Sequence, residues 1–391
     1  MSRLLGRLLR AIGDTALCAA AALAVARPAA AQGADDRSWK LSGYYLNLYT
    51  RSRIVVPPAE AFTLDLNRLR LKLDAHPLRT LGVEVQYDNE ALLGSYVSTA
   101  QFALTRAAAT TSLDLQRDYA AGHQMVARHG LYRALVSWAG PGIDVKVGRQ
   151  RIPLGTGFFW SPMDLLSPID PTRLERDYRT GADAVLVERT LGALARVSGI
   201  YAPATTRMRA AAAGYLHGNL RGTDFSLLAG RFRGDDAVGA DFGTSRGGLG
   251  LRGEATATRA ATGARFARVL LGADYGFANA LDLTVETYYN GAGAAEPKGY
   301  DLAGLLAGRV LGLARWYAAV AATYDLTPLV KLAGYGVVNA DDGSTVLWPR
   351  VEWSARSDLD LVVGVQRFAG PSRSEYGRLS TLVHGEARWF F

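Results

Sequence analysis

Cysteine is nearly absent: the 391 residues include one, Cys18, alongside four methionines, five histidines and five lysines, Lys40, Lys72, Lys146, Lys298 and Lys331. A disulfide framework is thereby excluded, as is a cysteine-based zinc site. Glycine (43) and proline (14) are too few and too irregularly placed for a collagen-like or low-complexity chain. Helical membrane spans of about 20 apolar residues are missing, and the mean hydropathy is only +0.03. What is present is charge: 44 basic against 36 acidic residues, a formal net charge of +8 carried almost entirely by arginine. Such a balance suits nucleic acid or an anionic membrane surface without choosing between them.

The first thirty residues decide the compartment. Arg3, Arg7 and Arg10 precede an apolar run from Ala16 to Ala26, followed by Pro28 and the small triplet Ala29, Ala30, Ala31. This is a signal peptide over residues 1–31 with an A-x-A site before Gln32. Its removal takes Arg3, Arg7, Arg10, Arg27 and Asp14 from the totals of 44 and 36, so 40 basic and 35 acidic residues remain. Nucleic-acid binding is no longer expected. Cys18 lies inside the apolar run without the small residues that precede a lipidated cysteine. The mature chain, expected as a single domain over 32–391, must hold together without covalent staples.

Alternation at period two runs through that mature chain. Leu69, Leu71 and Leu73 enclose Arg70 and Lys72; Leu81, Val83, Val85 and Tyr87 enclose Gly82, Glu84 and Gln86. Leu281 to Tyr289 and Leu359 to Val365 repeat the pattern. Each stripe is about ten residues long, whereas strands of soluble sheets commonly have about five or six. A tilted strand crossing a bilayer needs roughly 9 to 11, and only a closed barrel satisfies every backbone donor and acceptor in lipid. The alternative is a soluble sandwich.

Short and long connections alternate as well. Short ones fall at His76–Thr80, Ala139–Gly142, Arg189–Gly192, Phe277–Ala280, Asp325–Pro328 and Arg356–Asp358; long ones at Ala91–Gly122, Pro153–Thr180, Gly291–Leu313 and Ala369–Tyr376. The pattern predicts an all-β transmembrane antiparallel barrel with short periplasmic turns and long extracellular loops. About eighteen strands are expected. The piece 236–243 is the least regular, and without it the count is sixteen.

The final strand places Val383, Gly385, Ala387, Trp389 and Phe391 on one face, and the sequence ends on Phe391. In this it resembles Gram-negative outer-membrane barrels. The resemblance implies that Trp389 and Phe391 form the signal read by the barrel-assembly machinery, with the outer-membrane bilayer as the surroundings. Aromatics near predicted turns, among them Tyr87, Trp138, Tyr201, Tyr275, Tyr289, Tyr324 and Trp353, fit interfacial girdles.

A barrel of this size leaves an aqueous lumen unless loops fill it. The face opposite the apolar stripes supplies the pore-lining candidates Arg68, Arg70, Lys72, Glu84, Arg133, Lys146, Arg252, Glu254, Arg268, Glu286, Arg350 and Glu352. The signs are mixed, so most are expected to form paired ladders that stiffen the wall. Arg68, Arg70 and Lys72 form the best candidate for an anion track. The segment 147–171, VGRQRIPLGTGFFWSPMDLLSPIDP, carries four prolines and three consecutive aromatics, which imply a structured excursion. It is similar to segments of alginate-export-like outer-membrane channels over about 25 residues. That similarity implies a loop folded into the pore, with Arg149, Arg151, Trp160 and Asp164 as constriction candidates. The strongly basic lumen expected of an acidic-polysaccharide exporter is not evident.

Other signals lead nowhere. Gly248, Gly250 and Gly253 match G-x-G-x-x-G, but strand and turn follow instead of a helix. The five histidines lack metal-ligand spacing, so no metal or cofactor is expected. Ser245, in Gly243-Thr244-Ser245-Arg246-Gly247, matches G-x-S-x-G, but strand and turn follow it in place of the helix that a nucleophile elbow needs, and an enzyme is not expected. Leu302–Ala322 suggests a membrane helix, yet Arg309 and Arg315 interrupt it and its second half alternates. Asn339, Asp341 and Asp342 form a loop tip that reads as a solvated turn ahead of a calcium site. Two readings follow: a porin-like channel passing small hydrophilic solutes, with anions favoured if the track operates, or a non-conducting barrel acting as a structural, receptor or complex-forming protein. Nothing in the sequence identifies a subunit contact.

Overall fold

The computed structural model describes residues 38–55, 60–107, 111–168, 170–175, 178–179, 181–205, 208–306, 310 and 312–391. Residues 1–31, expected to be a signal peptide, and Arg309 lie outside them. The first part of the chain forms β1 (Ser38–Arg53), β2 (Ala61–Leu78), β3 (Leu81–Leu93), helix α1 (Ala100–Ala107), β4 (Gln116–Gly122), β5 (Met125–Gly140) and β6 (Ile143–Gln150). Next come β7 (Ala182–Leu191), β8 (Ala195–Ala202), β9 (Ala211–Leu220), β10 (Thr223–Phe232), β11 (Asp235–Arg246), β12 (Leu249–Arg259) and β13 (Arg265–Gly276). The last part contains β14 (Leu281–Asn290), the short helix α2 (Leu302–Leu306), β15 (Trp316–Thr327), β16 (Val330–Asn339), β17 (Thr345–Arg356), β18 (Leu359–Ala369) and β19 (Leu382–Phe390).

All strand pairings are antiparallel, and all strands except β4 form one ring of eighteen that closes where β1 meets β19. The closing register runs from Tyr44 opposite Phe390 to Arg51 opposite Val383, and Gly43 and Phe391 exchange backbone hydrogen bonds of 2.9 and 3.1 Å. The higher of the two expected counts therefore holds, and 236–243 lies within β11. Among the described residues no helix is long and apolar enough to cross a membrane, and the stretch suspected of being one contains α2 and the first half of β15.

The ring explains the alternation. Leu69, Leu71 and Leu73 face out, in register with Tyr87 and Val85 of β3, while Arg68, Arg70 and Lys72 face in against Glu90, Asp88 and Gln86. Large apolar side chains such as Leu271, Val238 and Val363 stand more than half exposed on the outside, the reverse of a soluble core. Aromatics bound this belt. On β15, Tyr324 and Trp316 lie eight residues apart, about 27 Å along the strand. At a tilt near 40° this is roughly 20 Å along the axis, close to the height of an outer-membrane barrel's apolar band.

Two features depart from simple alternation. In the upper halves of β1 and β2 the apolar phase inverts: Leu46, Leu48 and Leu66 face in and are buried, while Tyr45 and Tyr49 face out. Val97 and Phe102, from the long β3–β5 connection, fold into the ring and cover them. The same connection contributes β4, a strand inside a segment that reads as loop throughout. Residues Met125–Gly130 of β5 pair with β3 on one edge and β4 on the other, whereas Ala134–Gly140 pair with β6. β4 thus occupies the edge that β6 vacates when the chain turns inward after Gln150.

Candidate functional site

The inward turn begins the connection 151–181, whose described residues lie against the inner wall. Its outward limb is fastened by two carboxylates. Glu254 of β12 accepts hydrogen bonds from the amides of Thr156 and Gly157, from the Ser161 hydroxyl at 2.9 Å and from the Met163 amide at 3.1 Å. Glu286 of β14 accepts the Phe158 and Phe159 amides at 2.6 and 2.8 Å. The turn is tight enough that a Cβ on Gly157 would stand 1.7 Å from the Trp160 carbonyl oxygen, so glycine is required there. Both glutamates are almost fully buried, and each backbone amide they receive satisfies a donor that strand pairing cannot reach.

Aromatic packing follows. Trp160 stacks on Tyr288 at 5.3 Å between ring centroids, and Phe159 meets Tyr335 edge-on at 5.5 Å. On the return limb Tyr335 donates to the Pro171 carbonyl, and Gln366 of β18 donates to the Thr172 carbonyl at 2.8 Å. Glu175 then meets Arg68 of β2 at 2.5 Å. Tyr178 packs on Tyr132 of β5 at 4.7 Å, and Tyr132 and Arg133 both donate to the Arg179 carbonyl, at 2.7 and 2.6 Å. In sequence the connection touches β12, β14, β16, β18, β2 and β5. It makes an inner belt around the lumen.

The predicted pore-lining residues fall into distinct settings. Arg68 is 2% exposed and bridges Glu90 at 2.6 Å and Glu175; Arg70 is 5% exposed, forms a two-pronged pair with Asp88 at 2.6 and 2.5 Å, and lies 3.6 Å above the Tyr132 ring. Lys72 has no ion pair among the described residues and lies 5.4 Å from the Tyr44 ring. Arg133 donates to carbonyls rather than to a carboxylate. Lys146 meets Glu188 at 3.2 Å, Arg252 pairs with Asp274, and Arg350 pairs with Glu352 at 2.6 Å along its own strand. Arg268 bonds Asn290 at 3.3 Å, and Glu84 accepts from Gln86 at 2.7 Å. Gly272 stands in register between Arg252 and Glu286, and its missing side chain lets those two approach over it.

The loop candidates also separate. Arg149 belongs to β6, in the register row of Leu73, Val85, Ala134 and Asp183, which faces away from the lumen. It is buried there, paired with Asp183 at 2.8 Å and capped by the Leu113 carbonyl at 2.7 Å. Arg151 is exposed and lines a 310 Å³ cavity near the β2–β3 turn, together with Asp74, His76, Glu84, Arg133 and Lys146. Trp160 is an anchor in the wall, 3% exposed. Asp164 is buried beside Arg179 at 3.6 Å and accepts the Ser167 amide at 2.9 Å; burial pushes its carboxyl up to about 7. Trp389 donates to Asp358 at 2.9 Å at the turn end, and Phe391 joins the closing seam.

Sequence reasoning did not single out Glu175, Tyr178 or Tyr132, because their partners are up to 107 residues away and no spacing marks them. It also missed a clasp at the loop rim. Glu375 accepts the Leu313 amide, the Tyr317 hydroxyl and the Asn339 amide at 3.0, 2.7 and 2.8 Å, and burial raises it to about 7. Asp341 accepts the Arg315 and Trp316 amides at 2.7 and 2.8 Å, and Asp342 accepts the Glu375 amide at 2.7 Å. The loop-tip acids thus hold backbone donors, and among the described residues no group of side chains is arranged to hold a metal ion.

No family model matches the chain, and no curated protein matches it. Solved structures do. Pseudomonas aeruginosa OccD3 (OpdP) is 12% identical, with 90% of this chain and 91% of that one covered at a TM-score of 0.57. Acinetobacter baumannii OccAB1 is 11% identical over 93% and 98%, also at 0.57. Pseudomonas aeruginosa OccK9 (OpdG) is 13% identical over 90% and 98%, at 0.58. At such identities the likeness is one of fold, and it extends over the whole barrel.

Proposed function

We propose that this chain is a porin-like channel of the Gram-negative outer membrane, exported through a leader at residues 1–31 and passing small hydrophilic solutes down their gradients. The observation that carries the reading is the inner belt. A closed ring of eighteen strands presents apolar side chains outward and ionic ones inward, and the connection 151–181 is fastened around that interior by buried hydrogen bonds. A belt fastened inside a wide lumen would narrow it, which is what size selection in a passive pore requires. No chemical step is assigned to it.

An anion preference belongs to the same proposal, on a narrower set of residues than the sequence pattern suggests. Arg68 and Arg70 are neutralised by Glu90, Glu175 and Asp88, so the positive field falls to Lys72, Arg133 and Arg151. Trp389 and Phe391 are proposed as the signal for the barrel-assembly machinery. Single-channel recording in a planar bilayer tests the central reading. Discrete conductance steps are expected from the folded protein; their absence after verified insertion would leave the non-conducting barrel, a reading favoured by the second inward fold at Val97 and Phe102.

A further inference from the structure

Where the belt lies on the wall, its buried Asp164 faces Glu254, one of three buried carboxylates on that stretch of wall. Asp164 comes from the belt, Asp241 and Glu254 stand opposite each other on β11 and β12, and Glu286 follows on β14. All four are buried, none more than 6% exposed. The cations that face Asp164 are Arg179, at 3.6 Å, and Arg151; the anion that faces it is Glu254. Arg252 faces Glu286, and His217 reaches Asp241 through Ser226, with His217 Nδ1 3.2 Å from the Ser226 hydroxyl.

Glu254 and Glu286 have backbone amides to spread their charge onto. Asp164, by contrast, accepts the Ser167 amide, has its nearest cation at 3.6 Å, and brings a further buried carboxyl up to Glu254 when the belt is docked. Concentrating like charge away from water is unfavourable unless one group takes up a proton. We infer that docking of the 151–181 belt is linked to protonation of Asp164, so that acid holds the belt against the wall and alkali loosens it.

The raised carboxyl at about 7 agrees with the direction. A carboxyl whose docked value lies above its free value of about 4 favours docking fully below the free value and loses that contribution as the pH rises through 7. For one proton the docked-to-lifted ratio falls about tenfold between pH 6 and pH 8.

Hydrogen exchange of the detergent-folded full-length protein reads this without requiring conduction, so a barrel that passes no current can still show it. Protection of the amides in 154–168, corrected for the intrinsic pH dependence of exchange, is expected to fall about tenfold from pH 6 to pH 8. Asp164→Asn, which keeps the shape and stays neutral, is expected to be flat and protected across that range. Asp164→Ser, which retains an acceptor for the Ser167 amide, serves if the amide variant does not fold. A flat wild-type profile, or a transition that survives both substitutions, would overturn the linkage. So would a transition abolished by His217→Asn alone.

Discussion

Replacing Glu254 by alanine withdraws an acceptor from four donors at once: the amides of Thr156, Gly157 and Met163 and the hydroxyl of Ser161. A buried donor left without a partner costs about 1–3 kcal/mol. The lumen is wet, so the freed groups can recover water by lifting, and the lower figure applies to each. The sum is about 4 kcal/mol, close to a thousandfold in the docking equilibrium at about 1.4 kcal/mol per decade. The wall should be untouched, because Glu254 adds nothing to strand pairing beyond its own backbone. Exchange of the 154–163 amides is therefore expected to accelerate by two to three decades while residues 268–276 of β13 keep their protection. Glu286→Ala removes only the Phe158 and Phe159 contacts, for about 2 kcal/mol or roughly thirtyfold. If both variants left the belt within threefold of wild type, or if Glu286→Ala had the larger effect, the carboxylates would not be what fastens it.

Changing Lys72, Arg133 and Arg151 together to glutamine should move the reversal potential in a salt gradient toward cations; an unmoved potential would discard the anion preference. Arg70→Gln should barely change selectivity but destabilise the barrel by about 3 kcal/mol, because buried Asp88 loses its two-pronged partner and keeps the Tyr178 hydroxyl at 3.2 Å and Arg68 at 3.9 Å; the temperature at which the folded band disappears on gels measures it. Deleting Phe391 removes two seam hydrogen bonds worth about 2 kcal/mol together. If the residue is also an assembly signal, the yield of folded barrel in cells should drop far more than the stability of barrel refolded in detergent. Glu375 is raised to about 7, so its contribution to the rim clasp is complete below its free value of about 4 and disappears as pH rises through 7. Protection of 370–381 should fall over that interval and become pH-independent in Glu375→Gln.

The wall was legible because lipid enforces a simple rule on it. Wherever a strand is outward-facing in the apolar belt, as at Leu69–Leu73 or Leu281–Tyr289, alternation in the sequence gives strand, face and length together. The rule lapses where the surroundings change. Leu46, Leu48 and Leu66 are apolar yet face in, because Val97 and Phe102 fold over them above the belt. β4 hides in a stretch, Gln116–Gly122, with little apolar periodicity, since both its faces are largely exposed. The belt was foreseeable from its prolines and from Phe158–Trp160, but its fastenings were not. Glu254 and Glu286 read as ordinary lumen charges, and only the tertiary path shows them receiving amides from about 90 to 130 residues away. Arg149 illustrates the opposite hazard: the resemblance to alginate-export-like channels implied a bore residue, while the register assigns it to the outward row.

The patch that β4 makes on β5 ties two insertions into one unit. Trimming the tip of the inner belt, say within 155–167, would leave Gln150 and the wall's pairing as they are and is the safer route for anyone seeking a wider nanopore. Shortening 111–122 would instead strip partners from Met125–Gly130 and open a gap of bare backbone beside a buried arginine. Loss of the first insertion must therefore be matched by a sixth strand that continues along β5, so a homologue with a shorter first connection should also show a longer, straighter sixth strand.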